Sequence, residues 1–298
     1  IGQAIKKLCD NKHYWIFLSS SDCDLRNPDA TQKLFNATKP HYVIHLAANV
    51  GGLYKNMNNP VQMFEDNMLM NINVIQCAYK SKVRNLVCCL STCIFPDNTT
   101  YPINEQMLHN GPPHESNYAY AYAKRMLEIQ CKAYNTQYGV NYKCIIPTNV
   151  YGPYDNFSLE DGHVIPSLIH KCYLAKRENK DFVIRGTGKP LRQFIYSDDL
   201  AMLIISFLFN KTAKDAIILS VDEKDEVSIK DAATYIARTF EYEHKMVFDD
   251  SFSDGQYKKT ADNTKLRDLQ GDFIFTNLKD GIERTISWFK ENYDVCRK

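Results

Sequence analysis

Short apolar runs alternate with longer amphipathic stretches in the first half of the chain. The unbroken run Tyr42-Val43-Ile44-His45-Leu46 is typical of a parallel strand that is buried on both faces. The same reasoning predicts strands over residues 15–19, 42–46, 86–90 and 142–146, and helices over residues 31–37, 60–82 and 118–138. Strands and helices that alternate in this way predict βαβ units, with helices on both faces of a parallel sheet.

The stretch over residues 60–82 has the clearest helical periodicity. Its apolar residues recur in steps of three and four at Val61, Phe64, Met68, Ile72, Ile75 and Tyr79. Such steps place side chains on one face of a helix, so we expect them to form one buried stripe.

The pattern changes after Tyr151, where loops lengthen and the regular segments become shorter. We predict strands over residues 182–185 and 217–220, and helices over residues 164–175, 199–209, 228–240 and from Thr276 through Trp288 and Tyr293. Ser228, followed three residues later by Asp231, is a possible N-cap. We therefore predict an α/β fold: a doubly wound Rossmann-type parallel sheet over residues 1–150, and a smaller, partly interleaved α/β domain over residues 151–298.

Charge and hydropathy exclude several classes of protein. The 298 residues include 36 Lys and Arg against 35 Asp and Glu, a formal net charge of +1 that argues against a nucleic-acid-binding protein. Mean hydropathy is -0.40, and no apolar run approaches the roughly 18 residues that a membrane-spanning helix needs. The first residues also lack the apolar segment of a signal peptide.

The ten cysteines do not form a disulfide or zinc-binding pattern. Cys88 and Cys89 lie inside an apolar run, and Cys77, Cys131 and Cys144 lie among other residues typical of a core. No C-x-x-C pair exists, so the sequence predicts neither a zinc ribbon nor a thioredoxin-type redox site, and no metal. Reduced thiols are typical of the cytosol, and we expect a cytoplasmic protein.

Candidate chemistry lies where predicted strands end. Tyr120 and Lys124 are four residues apart on a predicted helix and hence on one face, and Ser91 follows a predicted strand. A lysine ammonium beside a tyrosine favours the phenolate, so we expect Lys124 to lower the pKa of Tyr120 from its usual value near 10 and to suit it for acid–base catalysis. Alone, this spacing is a weak signal, and a solvated lysine beside a half-buried tyrosine is its commoner explanation.

Motifs along nearly the whole chain resolve that ambiguity. They are HLAA (45–48), VGGL (50–53), LSTCIFP (90–96), HNGPPH (109–114), YAYAKRM (120–126), IPTNVYGP (146–153), DGHVIP (161–166), RQFIYS (192–197) and SDGQ (253–256). With these motifs the chain resembles the extended short-chain dehydrogenase/reductases, and in particular the members that both epimerise and reduce a 4-keto nucleotide sugar.

The resemblance implies a function and five catalytic residues. It implies NADPH-dependent 3,5-epimerisation and then 4-keto reduction, which convert GDP-4-keto-6-deoxy-D-mannose to GDP-L-fucose. Ser91, Tyr120 and Lys124 resemble the reductase triad, with Tyr120 protonating the C4 oxygen as hydride arrives from NADPH. Cys93 and His163 resemble the pair that exchanges protons at C3 and C5, carbons whose protons are acidified because they flank, or are conjugated to, the 4-keto group.

The resemblance also implies which residues bind ligands. Residues 1–150 correspond to a dinucleotide-binding domain and residues 151–298 to a substrate-binding domain. The implied cofactor-binding residues are Gly2, Ser20, Asp24, Leu25, Leu90, Ser91, Lys124, Pro147, Thr148, Asn149, Val150 and His163. The implied substrate-binding residues are Lys171, Arg185, Arg192 and Asp254, of which Arg192 suits a pyrophosphate best. The implied assembly is a homodimer formed through the helices over residues 60–82 and 118–138, with no nucleic-acid or membrane partner.

Two features keep alternatives open. Gly2 matches the last glycine of a G-x-x-G-x-x-G turn whose preceding strand and glycines are absent, so we expect that the sequence begins partway into the protein. Serines over residues 19–21 permit a 2′-phosphate but do not decide between NADP and NAD. One alternative is another nucleotide-sugar enzyme: a dehydratase, which typically has a carboxylate near the position of Cys93, or a 4-epimerase, which usually has neither Cys93 nor His163. The other alternative is a cofactor-impaired, non-catalytic relative.

Overall fold

A computed structural model of the chain describes residues 1–210, 215–252, 254 and 256–298, without the side chains of Leu53 and Tyr54. Ser253 and Gly255 of the SDGQ motif lie outside the described residues. The chain forms two compact units. The first comprises Ile1–Thr99, Asn104–Pro147 and Leu200–Leu219, and the second comprises Thr100–Ile103, Thr148–Asp199 and Ser220–Lys298.

A four-stranded parallel sheet forms the centre of the first unit. Its strands are β1 (Tyr42–His45), β2 (Asn85–Cys89), β3 (Asn141–Pro147) and β8 (Ile217–Leu219), and they are adjacent in that order. The helices of this unit are α1 (Gly2–Leu8), α2 (Pro28–Thr38), α3 (Leu53–Asn58), α4 (Pro60–Lys80), α5 (Tyr118–Tyr138) and most of α7 (Ser197–Phe209).

Two successive residues of β3 show that helices cover both faces of this sheet. Neighbouring strand residues point to opposite faces. Lys143 Nζ donates a 2.6 Å hydrogen bond to the carbonyl of Phe207 in α7. Cys144 lies beside Cys88 in the register between β3 and β2, so both side chains point to the other face. On that face the Sγ of Cys88 lies 3.8 Å from the Sγ of Cys131 in α5. The predicted doubly wound α/β arrangement is therefore confirmed.

The second unit contains three two-stranded sheets with helices packed around an aromatic core. The strands are β4 (Asn149–Tyr151) with β7 (Phe194–Tyr196), β5 (Phe182–Arg185) with β10 (Met246–Asp249), and β6 (Leu191–Arg192) with β9 (Val227–Ser228). The helices are α6 (Val164–Glu178), α8 (Ile229–Thr239), α9 (Thr264–Leu269) and α10 (Leu278–Glu291). Phe157, Phe182 and Phe289 are fully buried in its core. Ser228 and Asp231 form a capping box at α8, as predicted.

One predicted strand and both ends of the last predicted helix are wrong. Residues 15–19 form no strand, and Ile16, Phe17 and Leu18 are exposed, because an apolar run becomes a strand only when a neighbour satisfies its main chain. The last helix begins at Leu278 instead of Thr276, because the side chain of Asn277 caps it. That helix also ends before Tyr293.

The predicted buried stripe of α4 is also wrong. Val61, Phe64 and Tyr79 are exposed, and of the six stripe residues only Ile75 is fully buried. The buried side of the helix instead carries Met63 together with several asparagines and small residues. Apolar periodicity identified a real face of this helix, but only part of that face is buried in the core of its own unit.

Among the described residues, none of the helices combines the length and apolar character that a bilayer crossing requires.

Candidate active site

Ser91 and Cys93 lie in a tight turn just beyond the carboxyl end of β2. Ser91 has extended dihedrals and is the N-cap of a single 3₁₀ turn over Thr92–Ile94. Its Oγ accepts a hydrogen bond of 3.5 Å from the main-chain N–H of Cys93. Cys93 is half-buried, whereas a cysteine that only filled the core would be enclosed. The turn thus presents a hydroxyl and a thiol at the edge of the sheet where ligands bind in such folds.

Tyr120 and Lys124 are both buried on the same side of α5. Lys124 is 2% exposed, and its Nζ donates a 2.8 Å hydrogen bond to the carbonyl of Cys89, the last residue of β2. The same nitrogen lies 5.8 Å from the centroid of the Tyr120 ring. The solvated-lysine alternative is therefore wrong, and the ammonium is fixed between the strand end and the phenol ring.

The pKa of Tyr120 is shifted in the direction opposite to the one predicted. Burial raises it well above its usual value, and negative charge at Cys93 and Cys89 raises it further. Burial also lowers the pKa of Lys124. Desolvation is the largest cause of both shifts, because both groups are removed from water. Tyr120 is consequently a protonated phenol at neutral pH, which is the form that donates a proton.

His45, the last residue of β1, is close enough to Lys124 for the lysine charge to act on it. It is buried, and its Nε2 lies 3.0 Å from Oδ1 of Asn71. Burial first, and the charge of Lys124 second, lower the pKa of His45 to about 4. His45 is therefore a neutral hydrogen-bonding group at neutral pH and adds no second positive charge beside Lys124.

His163 is the N-cap of α6 but makes no capping bond with its side chain. Its ring is 68% exposed, and its Nδ1 lies 4.0 Å from Oδ1 of Asp155. Burial raises the pKa of Asp155, and the charge of a protonated His163 opposes that shift. Gly162 allows the tight approach to the helix, since a Cβ there would lie 2.4 Å from the carbonyl oxygen of Ser158. The loop thus presents an accessible imidazole with a carboxylate beside it.

Three of the predicted substrate-binding residues are cations of the second unit. Burial, followed by the nearby charge of Arg185, lowers the pKa of Lys171. The guanidinium of Arg185 lies 4.7 Å from the ring centroid of Phe252. Burial lowers the pKa of Arg192, while Glu226 opposes the shift. Lys171 and Arg185 are close enough for their charges to interact, and such a pair of cations suits an anionic ligand.

Asp254, the fourth predicted substrate-binding residue, has a local role. Its Oδ1 accepts a 2.9 Å hydrogen bond from the main-chain N–H of Thr187, and its Oδ2 accepts one of 2.6 Å from Thr187 Oγ1. The carboxylate therefore holds the turn that follows β5.

Comparison with known proteins identifies the group to which this arrangement belongs. The sequence profile of the NAD dependent epimerase/dehydratase family matches residues 1–219. The chain belongs to this family. The predicted resemblance to extended short-chain dehydrogenase/reductases is thereby confirmed.

Individual members of the epimerase/dehydratase family are similar over the full chain. A GDP-L-fucose synthase of Dictyostelium discoideum is 51% identical over 298 residues, which cover 100% of this chain and 93% of that protein. A probable GDP-L-fucose synthase of Drosophila melanogaster is 48% identical, with 99% and 94% covered. The crystal structure of a GDP-L-fucose synthetase from Naegleria fowleri bound to NADP superposes with a TM-score of 0.95 at 47% identity, and the match covers 100% of this chain and 91% of that one.

The residues of this family member fit a dinucleotide where the parallel strands end. Thr148 follows β3 directly, and its buried Oγ1 has no hydrogen-bond partner among the described residues. A Cβ on Gly2, at the start of α1, would meet only Leu46 at 4.0 Å, so a ligand can approach its main chain. An orphaned hydroxyl and an open main chain are features that a bound cofactor satisfies.

The remaining predicted cofactor residues are placed as follows. Leu90 and Pro147 are buried at the ends of β2 and β3, Asn149 and Val150 are half-buried in β4, Ser20 is exposed, and Leu25 is half-buried. Both carboxylate oxygens of Asp24 are bound by Arg26 at 2.9 Å, and this contact lowers the pKa of Asp24. The structure thus pairs Asp24 with a neighbouring cation.

Sequence reasoning missed two residues that contact the turn carrying Cys93 and the loop carrying His163. Arg125 binds the carbonyl of Ile94, and Asp155 faces His163. The arginine that directly follows Lys124 is visible in the sequence. The sequence does not show that its side chain binds the carbonyl of Ile94. Among the described residues, no group of three or more His, Cys, Asp and Glu is arranged to hold a metal ion.

Proposed function

We propose that this chain is an NADPH-dependent epimerase-reductase that converts GDP-4-keto-6-deoxy-D-mannose to GDP-L-fucose. One observation carries the proposal: Lys124 Nζ lies 5.8 Å from the Tyr120 ring and binds the carbonyl of Cys89, two residues before the turn that presents Ser91 and Cys93. A reductase alone needs only the tyrosine and lysine. A thiol beside them adds a base that can act on the carbons next to the ketone.

Epimerisation needs a base and an acid on opposite faces of the sugar. Cys93, as a thiolate, takes the proton from a carbon next to C4, and the electron pair moves into an enolate whose negative charge lies on the C4 oxygen. The imidazole of His163, in its protonated form, returns a proton to the same carbon from the other face. The O–H groups of Ser91 and Tyr120 stabilise the enolate oxygen by hydrogen bonding. We assign both C3 and C5 to this pair.

Reduction of the ketone uses the same phenol as a proton donor. NADPH, when bound, supplies the hydride that adds to C4. As the C4 oxygen gains charge, Tyr120 transfers its phenolic proton to it, and the sugar becomes an alcohol. The phenolate left behind is buried, and the Lys124 ammonium stabilises it by charge. Protonated tyrosine is the required starting form, which fits the raised pKa of Tyr120.

The cations of the second unit are assigned to the nucleotide diphosphate. Arg192 is half-buried, and its guanidinium can make two parallel hydrogen bonds to phosphate oxygens. Lys171 and Arg185 are close enough to influence each other's charge and add two further positive groups. Asp254, whose carboxylate is bound by Thr187, is assigned to shape this loop. Thr148, Asn149 and Gly2 are assigned to the cofactor.

The protein is also proposed to form a cytoplasmic homodimer. The exposed apolar residues Val61 and Phe64 on α4 and Ile129 on α5 lie on the two longest helices of the first unit, and none of the ten cysteines forms a disulfide. Burial of this face in a four-helix interface removes apolar surface from water. Sedimentation should give twice the mass of one chain, and Ile129→Lys should shift it to one.

Product analysis tests the catalytic proposal. Purified protein is incubated with GDP-4-keto-6-deoxy-D-mannose and NADPH, and the sugar is identified by NMR. The expected result is one NADPH oxidised for each GDP-L-fucose formed. Without NADPH, deuterium from solvent should still enter C3 and C5, because epimerisation precedes reduction.

Two variants separate the half-reactions. Cys93→Ser should lose deuterium incorporation while NADPH binding, followed by fluorescence, is retained. Tyr120→Phe should lose NADPH oxidation and keep measurable exchange. A tightly bound oxidised cofactor with no net consumption of NADPH would instead identify a 4-epimerase or dehydratase and refute the proposal.

A further inference from the structure

Arg125 joins two loops of the first unit. It follows Lys124 in α5 and is 4% exposed. Its Nε donates a 2.6 Å hydrogen bond to the carbonyl of Ile94, and its Nη1 donates one of 2.7 Å to the carbonyl of Gly111. Ile94 follows Cys93 directly and ends the same 3₁₀ turn. The guanidinium therefore anchors the turn that carries the thiol.

The charge of this guanidinium is not neutralised by a carboxylate in the contacts above. Its third nitrogen, Nη2, is buried and has no hydrogen-bond partner among the described residues. The ring centroid of Tyr122 lies 5.4 Å from the guanidinium carbon. A buried cation bound to two neutral carbonyls is costly to desolvate, and a plain structural anchor needs no charge.

The charge of Arg125 also interacts with Tyr122 and Cys93. Burial lowers the pKa of Arg125, and negative charge at Tyr122 and at Cys93 opposes that shift. The coupling is reciprocal, so the guanidinium favours the thiolate form of Cys93 by the same energy. Lys124 and Tyr120, from the same helix, also interact with Cys93: the lysine favours the thiolate and the phenol gains no charge at neutral pH.

We propose that Arg125 is a positioning residue for Cys93: its two carbonyl contacts hold the turn that carries the thiol, and they keep the guanidinium charge beside that turn, where it favours the thiolate. The inference rests on the proposed role of Cys93 as the epimerisation base. It deepens that role, since a thiolate is needed to take a carbon-bound proton and an uncharged thiol cannot do so.

Alkylation of Cys93 tests the proposal without substrate or cofactor. Iodoacetamide reacts with the thiolate, and peptide mapping by mass spectrometry reports the rate at Cys93 alone, as a function of pH. Arg125→Met should slow alkylation about tenfold near pH 7, the change that one pH unit in the midpoint produces. At high pH the two rates should converge, because the sulfur is then ionised in both proteins.

Two further variants divide charge from anchoring. Arg125→Lys keeps the charge but cannot bind both carbonyls as a fork, so it should retain the alkylation midpoint and lose deuterium exchange at C3 and C5. Lys132→Met removes one positive charge from an exposed position two turns along α5 and should leave both measurements unchanged. If Arg125→Met does not fold, Arg125→Gln, which is uncharged but still donates hydrogen bonds, provides the same comparison.

The outcomes separate this inference from the proposed function. Identical pH profiles of alkylation in the wild type and in the uncharged variant would overturn the role of Arg125. A shifted profile with unchanged deuterium exchange would support the coupling of Arg125 to Cys93 and would refute Cys93 as the base. A shifted profile together with slowed exchange supports both.

Discussion

The Lys124 ammonium is bound at 2.8 Å to the main-chain carbonyl of Cys89. This contact joins the middle of α5 to the carboxyl end of β2. It therefore positions Tyr120, one turn earlier on the helix, relative to that strand end. Lys124 thus acts in two ways: it aligns the helix with the turn that carries Ser91, and it places a positive charge near the Tyr120 ring.

Loss of the Tyr120 hydroxyl should slow the reductive half-reaction strongly. Tyr120→Phe keeps the buried ring and removes the proton that the C4 oxygen needs, so we expect NADPH oxidation to fall by roughly 10²–10⁴-fold. The measurement is steady-state oxidation of NADPH with the keto sugar. Tyr118→Phe, an exposed tyrosine at the start of the same helix, is the matched control. Equal losses in both variants would contradict a catalytic role for Tyr120.

The raised pKa of Tyr120 gives the pH dependence of reduction a definite sign. The active form is the protonated phenol, and burial keeps it protonated beyond its usual value of 10.0. Single-turnover reduction of the already epimerised sugar should therefore show no loss from Tyr120 as the pH rises towards that value. A basic limb with a midpoint near neutrality, absent in Tyr120→Phe, would show that bound cofactor lowers the pKa of the phenol.

Asp155 is predicted to orient His163 for proton transfer. Its carboxylate lies 4.0 Å from Nδ1 and is the acidic group that the loop turns towards the ring. Asp155→Asn should slow deuterium exchange at C3 or C5 about tenfold, a modest part of what acid–base catalysis contributes. Reduction of the epimerised sugar should not change. Asp161→Asn, an exposed aspartate in the same loop, should exchange at the wild-type rate.

Secondary structure was predictable wherever local pattern and tertiary environment agree. Residues 182–185 and 118–138 were predicted with the bounds that β5 and α5 have. The apolar run at residues 15–19 failed because strand formation depends on a partner that local sequence does not specify. The stripe of α4 failed for a related reason, since periodicity shows which residues share a face and not whether that face meets the core of its own unit.

The site was predictable to the extent that spacing determines geometry. The four-residue spacing places Tyr120 and Lys124 on one helix face, and the rule for parallel sheets places Ser91 at a strand end. The sign of the tyrosine pKa shift was not predictable, because it depends on how deeply both groups are buried. Arg125 and Asp155 escaped prediction since their partners are a main-chain carbonyl and a loop histidine, which only the folded chain brings close.

Lys143 provides a test of stability that is independent of catalysis. This fully buried lysine of β3 donates hydrogen bonds to the carbonyls of Phe207 and Asn210 at the end of α7. Burial lowers its pKa from 10.5 to about 8. Between these two values the unfolded chain holds the proton and the folded chain releases it, so stability gained from this residue increases as the pH rises.

We therefore expect the free energy of unfolding of the wild type to rise relative to Lys143→Met between pH 8 and 10.5. The gain should approach about 1.4 kcal/mol for each pH unit within that interval, which urea unfolding at a series of pH values can resolve. Lys132→Met, in which an exposed lysine is lost, controls for the change in net charge. A difference between wild type and Lys143→Met that stays constant with pH would show that Lys143 remains charged in the folded chain, with its ammonium fully stabilised by the carbonyls of α7.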